Sequence, residues 1–176
     1  MKKEISKNGT EVKCENNKIT VKSSGKEVSK LFKTDTKGVE LSITADKVIL
    51  ESKKENKKLK TIMNTWASHI KNMVKGAKEG FEYKLKICNS HYPMTVKVIG
   101  DKVEINNFIG ENVPRIAKIM PASTVKVAGD IILVQSADLE AAGQTAGNIE
   151  GATRIVRKDR RRFQDGIYII SKPGSR

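Results

Sequence analysis

The stretch Lys18-Ile19-Thr20-Val21 returns further along the chain as Lys102-Val103-Glu104-Ile105, and this repetition decides the fold. Two further landmarks recur in the same order: Gly25-Lys26-Glu27-Val28 as Gly110-Glu111-Asn112-Val113, and Asp46-Lys47-Val48-Ile49-Leu50 as Gly129-Asp130-Ile131-Ile132-Leu133-Val134. The shift is 84 residues for the first and third pairs and 85 for the second. Landmarks that keep their order and spacing indicate a duplicated module of about half the chain, in the size range of a small domain.

Each copy reads as strands followed by one helix. Apolar and polar residues alternate over residues 39–43 and 81–87, which is the period of a half-buried strand. The turn-type pairs Asn16-Asn17 and Gly100-Asp101 predict hairpins between strands. Strands joined by hairpins and followed by a helix predict antiparallel pairing rather than a βαβ arrangement.

Two helices are expected. The first carries an apolar stripe at steps of three and four, and Gly76 and Gly80 predict where it ends. Its stripe comprises Leu59, Ile62, Met63, Trp66, Ile70, Met73 and Val74. The second begins after Asp138, a good N-cap residue, and continues through Leu139, Ala142, Ala146 and Ile149. Trp66 at helical spacing is interpreted as a core residue and not as a stacking platform.

The fold class is therefore α+β, with two tandem similar domains, each an antiparallel sheet with one packed helix. We expect an N-terminal α+β repeat over residues 1–80. A C-terminal α+β repeat with an Arg-rich extension is expected over residues 81–176, and the seam should fall between Lys78 and Tyr83.

Composition limits the partners. The 176-residue chain has a formal net charge of +14, which attracts polyanions without distinguishing RNA from DNA. No apolar run approaches the roughly 20 residues that span a bilayer, and the start Met1–Ser6 does not resemble a signal peptide. Cys14 and Cys88 have no metal-ligand spacing and are read as ordinary residues.

The densest charge lies in residues 154–162, where six of nine residues are cationic and five of those six are arginine. These six are Arg154, Arg157, Lys158, Arg160, Arg161 and Arg162. Arginine presents a planar fork of donors that grips phosphate with two parallel hydrogen bonds, so the segment is predicted to bind RNA. The alternative is a solvated tail. Phe163 and the apolar run Ile167–Ile170 favour a segment anchored on a folded surface.

The second helix adds further candidates. Gly143 and Gly147 let the helix backbone approach something closely, either the sheet within the core or an RNA backbone on the surface, and the sequence leaves both open. For the polar Gln144 and Asn148 we favour RNA contact. Few aromatic residues are present, so recognition should rest on charge and shape rather than on base stacking.

No reactive constellation is apparent, so the chain is not expected to be an enzyme. It lacks Gly-x-Ser-x-Gly, His-Glu-x-x-His and a phosphate-cradling Gly-rich loop followed by Lys-Ser/Thr. His69 is read as structural. His91, within Asn89-Ser90-His91-Tyr92-Pro93, is either a turn residue or part of an RNA-contacting loop. We expect no metal, no cofactor and no small-molecule substrate.

Three stretches resemble the large-subunit ribosomal protein L-six family in its archaeal and eukaryotic form. They are Val125-Lys126-Val127-Ala128-Gly129-Asp130, the helix Asp138–Glu150 with its Ala-Gly-Gln-Thr-Ala-Gly-Asn core, and Arg162-Phe163-Gln164-Asp165-Gly166-Ile167-Tyr168. The resemblance covers essentially the whole chain, including the repeat, and is most specific over residues 138–168.

This resemblance implies a ribosome-bound cytoplasmic protein with two α+β domains on large-subunit rRNA. It implies a position near the sarcin–ricin loop and the base of the factor-binding stalk, beside neighbouring large-subunit ribosomal proteins and translation factors. The C-terminal domain would make most RNA contacts. The chain departs from the family's bacterial Pro-Glu-Pro-Tyr-Lys-Gly-Lys-Gly tail, and it has Lys22-Ser23-Ser24-Gly25 where the family often has a Lys-Gly-Pro-x-Gly turn. The alternative function is a free-standing basic RNA- or DNA-binding regulatory module.

Overall fold

A computed structural model describes residues 2–7, 9–15, 18–23, 25–32, 39–44, 47–52 and 56–174. The chain divides into two compact units, Met1–Gly80 and Phe81–Arg176. The predicted turn Asn16-Asn17 and the residue Ser24 lie outside the described residues.

The first unit contains two three-stranded antiparallel sheets and one helix. One sheet consists of β1 (Lys2–Ser6), β5 (Val39–Ile43) and β6 (Lys47–Ser52), in the order β1-β6-β5. The other consists of β2 (Glu11–Glu15), β3 (Lys18–Ser23) and β4 (Lys26–Leu31), in sequential order. Helix α1 (Lys57–Lys78) follows the last strand and packs against β1, β3, β4 and β6.

The second unit repeats this plan and adds a strand. Its seven strands are β7 (Phe81–Cys88), β8 (Thr95–Ile99), β9 (Lys102–Asn106), β10 (Arg115–Lys118), β11 (Ser123–Ala128), β12 (Ile131–Ser136) and β13 (Gly166–Ser171). They form the antiparallel sheets β10-β9-β8 and β11-β12-β7-β13. A short 3-10 helix (Phe108–Gly110) follows β9, and α2 (Leu139–Ala152) lies between β12 and β13.

The two units have equivalent sheets. In the first, β6 pairs with β1 and β5, and in the second, β12 pairs with β7 and β11 at the corresponding places. The structure thus confirms an α+β fold of two similar domains. It also shows two sheets in each unit, where the sequence analysis expected one. Strand β13 has no equivalent in the described part of the first unit, because the chain leaving α1 enters β7 of the next repeat.

Local sequence accounts for the first helix. Asn56 caps its start, where the side chain accepts a hydrogen bond from the backbone N–H of Lys58. Most of the predicted apolar stripe is buried, while Leu59 and Ile62 are half-buried. Trp66 is only 9% exposed and meets the ring of Phe32 edge-to-face at 5.2 Å, which confirms its core role. Gly76 lies buried inside the helix rather than at its end, contrary to the sequence prediction. Gly80 follows the helix with φ +79°, a conformation that glycine adopts without strain.

The second helix begins where predicted. The Asp138 side chain accepts a hydrogen bond from the backbone N–H of Glu140 at 3.0 Å, so Asp138 is the N-cap. Ala142, Ala146 and Ile149 are fully buried against the sheet, as are Leu85, Ile132 and Ile167 of its strands. Burial of each large aliphatic side chain contributes about 1.5–3 kcal/mol. The hairpin at Gly100-Asp101 is confirmed, because β8 and β9 pair from Ile99 and Lys102 outward.

Neither helix is long and apolar enough to cross a membrane in the part of the chain that the structure describes. Cys14 and Cys88 are free thiols.

Candidate nucleic-acid interface

The cationic segment, residues 154–162, connects α2 to β13 and is held at both ends by buried groups. Ile155 near its start is 8% exposed, and Phe163 just after it packs against the core of the second unit. Asp165, immediately before β13, is 2% exposed. The alternative of a solvated tail is therefore wrong, because the segment is a loop between two elements of the folded unit.

Helix α2 and β13 are tied together directly below this loop. The Thr153 hydroxyl, buried at the helix end, accepts the backbone N–H of Ile167 at 3.0 Å and donates to the carbonyl of Glu150 at 3.1 Å. The Glu150 carboxylate accepts the backbone N–H of Ile169 at 3.0 Å. These bonds fix the distance between the two ends of the loop, which are the end of α2 and the start of β13.

Arg115 anchors the start of the loop from β10. One terminal guanidinium nitrogen donates to the carbonyls of Ala152 and Arg154 at 2.9 and 3.0 Å. The rest of the guanidinium holds the Glu111 carboxylate in a two-point bond of 2.6 and 2.8 Å and lies 4.3 Å from the centre of the Phe108 ring. Hydrogen bonding from Arg115 lowers the pKa of Glu111. This arginine is therefore a structural group, which makes four hydrogen bonds to partners within the unit.

Inside the loop, Asp159 forms a tight turn that presents the arginines. Its carboxylate accepts the backbone N–H of Arg161 at 2.9 Å, and its carbonyl accepts those of Arg162 and Phe163 at 3.1 and 2.9 Å. Arg157 has φ +62°, the left-handed region that non-glycine residues seldom adopt, and reverses the chain before this turn. Because these hydrogen bonds fix the loop backbone, they also fix the positions from which the arginine side chains extend.

All six cationic residues of the segment are exposed. The Arg161 side chain is 91% exposed even though its Nε lies 3.3 Å from the Asp159 carboxylate. Among the described residues, no other ion pair involves the five arginines of the segment. Exposed guanidinium groups on a fixed backbone are well suited to phosphate oxygens.

A buried carboxylate closes the far end of the segment. Asp165 accepts the backbone N–H groups of Ser90 and His91 at 2.6 and 2.8 Å, and its second oxygen lies 2.7 Å from Nδ1 of His91. Burial acts to raise the pKa of Asp165, but these hydrogen bonds outweigh it and lower the pKa to about 2. The His91 ring stacks on Phe163 at 4.8 Å, and the Lys158 ammonium lies 4.7 Å from the same ring centre. His91 thus lies in a turn that Asp165 holds, and contact between this turn and RNA stays a prediction.

The predicted residues of α2 divide between the core and the surface. A Cβ added at Gly143 would lie 3.0 Å from the Tyr83 hydroxyl, so the close approach at this glycine is to the sheet. Gly147 faces open space, with nothing within 4 Å of such an atom. The exposed Gln144 donates to Asn148 at 2.8 Å, and Asn148 donates to the carbonyl of Lys118 at 2.9 Å, which ties α2 to β10. We assign Gly143 to packing.

The structure brings Gly147, Arg154 and Arg160 together around one groove. Its volume is about 390 Å³, and its other lining residues are Glu150, Gly151, Thr153, Ile155 and Tyr168. The bare helix face at Gly147 and Gly151 forms one side, and the cationic segment contributes the two arginines. No three His, Cys, Asp or Glu side chains in the described ranges are grouped so that they could hold a metal ion.

Sequence reasoning missed the residues that hold the interface in place. Arg115 stands alone beside Pro114, and no local pattern marks it as the anchor of a segment some forty positions later. Thr153 and Asp165 lie within or beside the stretches already singled out, but their roles as buried acceptors depend on tertiary contacts. The one available signal was an isolated acid, Asp165, between a basic run and an apolar strand.

The duplicated α+β fold and the anchored cationic segment define a two-domain protein with an exposed cationic surface on its second unit. Residues 92–166 match the family model described as ribosomal protein L6. A "Large ribosomal subunit protein uL6" of Ignicoccus hospitalis is 45% identical over 168 residues, with 93% of this chain and 90% of the relative covered. A protein of the same name from Methanococcus vannielii is 48% identical over 137 residues, covering 78% of this chain and 75% of the relative.

The chain belongs to the ribosomal protein L6 family. Both relatives come from archaeal organisms, in agreement with the archaeal form that the sequence stretches resemble. Membership places the chain among structural ribosomal proteins and not among enzymes.

Proposed function

We propose that the chain is a structural constituent of the large ribosomal subunit that binds large-subunit rRNA through its second unit. The observation that carries the proposal is the cationic segment, residues 154–162, with its six exposed cations on an anchored loop. The names of the relatives support the assignment to the large subunit. Binding would be non-catalytic and would support translation by shaping or stabilising RNA.

The contact would be made to the phosphate backbone. The arginines of the segment have exposed donors in fork geometry, which suits two-point bonds to phosphate oxygens. The adjoining groove offers a bare backbone face at Gly147, where an RNA strand could approach α2 without meeting a side chain. Gln144 and Asn148, one helical turn apart, would present amide groups at the edge of this contact.

The finer location follows from the family resemblance. The chain would lie near the sarcin–ricin loop and the base of the factor-binding stalk, beside other large-subunit proteins and close to bound translation factors. It would be ribosome-bound in the cytoplasm. Neither a cofactor nor a small-molecule substrate enters this function.

The second candidate is a free-standing basic RNA- or DNA-binding module, which the net charge of +14 would equally allow. The two functions differ in whether the chain stays with the subunit when weak electrostatic contacts are screened. Large subunits carrying the tagged chain should be washed in high salt and sedimented. We expect stoichiometric retention, and release into the supernatant would favour the free-standing module.

The contact itself should be tested on the same particles by protein–RNA cross-linking. Cross-links from residues 154–162 to large-subunit rRNA would support the proposed interface. Cross-links confined to other proteins would contradict it, even if the chain remained bound to the subunit.

A further inference from the structure

A second cationic surface lies on α1, in the first unit. The outward side of this helix carries six exposed lysines and contains no Asp or Glu anywhere between residues 57 and 78. The six are Lys57, Lys58, Lys60, Lys71, Lys75 and Lys78, and we call all of them except Lys58 the α1 lysine face. At 100° per residue, all but Lys58 fall within an arc of about 60°, which is centred about 115° from the buried Met63, Trp66 and Ile70 and so flanks the buried side of the helix.

The first turn of α1 carries charge of the wrong sign for helix stability. The N-terminal end of a helix has a partial positive charge, so acids are favoured there and cations are disfavoured. Three of the six lysines, Lys57, Lys58 and Lys60, occupy this first turn, and no acid accompanies them. Lys75 and Lys78 complement the C-terminal end in the ordinary way. The fold therefore gains nothing from the first three lysines, which points to a role outside the unit.

Several lysines on the sheets of the same unit differ from those of α1, because they form ion pairs with acids. Glu4 pairs with Lys47 at 2.8 Å and Glu27 with Lys22 at 3.0 Å, so several sheet lysines are neutralised by neighbours. No ion pair involves the α1 lysine face among the described residues. One more cation joins this face, because Lys3 of β1 donates a hydrogen bond to the side chain of Asn64 at the middle of the helix. Glu79, just beyond the helix, is the acid nearest to it in sequence.

The face has a defined shape. Its two lysine groups stand near opposite ends of α1, and the rise of 1.5 Å per residue places Lys60 and Lys71 about 16 Å apart along the axis. Between them lie short polar side chains whose hydroxyls donate to backbone carbonyls four residues earlier, at 2.9–3.0 Å: Thr61, Thr65 and Ser68. Because the side chains at this centre are short and polar, a partner could lie along the helix and contact cations at both ends.

We propose that the α1 lysine face binds the phosphate backbone of double-stranded RNA, as a contact separate from the cationic segment. Lysine ammonium groups bind phosphate as point charges, and a duplex is a rigid phosphate lattice recognised by shape. A protein partner fits poorly, because protein interfaces deplete lysine at their centres and the described part of α1 exposes no large apolar side chain. A lipid surface fits poorly as well, since the apolar side of α1 is buried in its own unit.

The test uses the full chain and an RNA duplex two helical turns long. The variant carries Lys57→Glu and Lys60→Glu, and the matched control carries Lys13→Glu and Lys26→Glu on β2 and β4, which gives the same net charge. We expect the helix variant to lose about tenfold in affinity at low salt and about 2 in salt slope, since each phosphate neutralised contributes about 0.9. The control should change far less. The thermal stability of the helix variant should equal or exceed that of the unsubstituted chain, because acids are favoured at a helix N-terminus.

Equal losses in the two variants would overturn the proposal, because net charge alone would then explain binding. A helix variant that keeps its full affinity for RNA would overturn it too. So would a helix variant that loses affinity for anionic vesicles while its RNA binding is unchanged. If the helix variant unfolds, Lys57→Gln with Lys60→Gln replaces it and should also lower the slope by about 2. Repeating the comparison in a chain with Arg157, Arg160, Arg161 and Arg162 changed to Ala separates this contact from the one proposed above, since each can then fail without the other.

Discussion

The Oδ2 atom of Asp165 lies 2.7 Å from Nδ1 of His91, while Oδ1 of the same carboxylate accepts the backbone N–H of His91 at 2.8 Å. This pair joins the loop after β7 to the end of the cationic segment, across 74 positions of sequence. The surface that would bind RNA is therefore positioned by an acid that RNA does not need to touch. Because Asp165 is buried, its carboxylate does not compete directly with phosphate for the arginines.

The first prediction concerns acid stability. The pKa of Asp165 is lowered from 3.8 to about 2 in the folded chain, so its contribution to stability is fully present above about pH 4 and is lost as the pH falls through about 2. The shift corresponds to about 2 kcal/mol. The unfolding free energies of the native chain and of Asp165→Asn, measured with a chemical denaturant between those pH values, should converge as Asp165 is protonated. A constant difference in unfolding free energy across that range would contradict the assignment.

The second prediction concerns the arginines. Changing Arg157, Arg160, Arg161 and Arg162 to Ala should weaken binding to large-subunit rRNA and lower the salt slope by about 3–4, because each phosphate contact contributes about 0.9. The fold should survive, since all four side chains are exposed. Filter binding over a salt series measures both quantities. An unchanged slope in a folded variant would exclude this segment as the contact.

The third prediction contrasts two glycines on α2. Gly147→Ala should raise the free energy of unfolding by about 0.5–1 kcal/mol, because alanine favours the helix and open space surrounds the new methyl group. Gly143→Ala should gain less or lose stability, since its methyl group would meet the Tyr83 hydroxyl at 3.0 Å. Denaturant unfolding of both variants gives the order. Gly147→Ala should also bind rRNA less tightly if an RNA strand approaches that face, and unaltered binding would remove Gly147 from the interface.

The fourth prediction tests Arg115 as the anchor of the cationic segment. Arg115→Lys keeps the charge but loses the fork that reaches Glu111 and the carbonyls of Ala152 and Arg154 together. We expect a loss of about 1–3 kcal/mol in stability and faster amide exchange over residues 153–157. Lys118→Arg, on the exposed side of the same strand, is the control. Native exchange rates in Arg115→Lys would show that the loop is held by its other bonds.

The sequence by itself determined the duplication, the fold class and the location of the charge. Periodicity and capping are local properties: alternation marked β5 and β7, Asp138 marked the start of α2, and the apolar stripe marked the buried side of α1. Each depends on residues a few positions apart, so no tertiary information was needed. The density of arginine in residues 154–162 is likewise visible in the linear chain.

Tertiary structure decided which of these features could act together. Only the folded unit brings Arg115 to the carbonyls of Ala152 and Arg154, and Asp165 to His91, because those pairs are joined by long loop closures and not by local spacing. Packing also settled the two glycines of α2, by placing Tyr83 against Gly143 and nothing against Gly147. It likewise left the first-turn lysines of α1 exposed, because the helix buries its apolar stripe and leaves the rest of its surface to solvent.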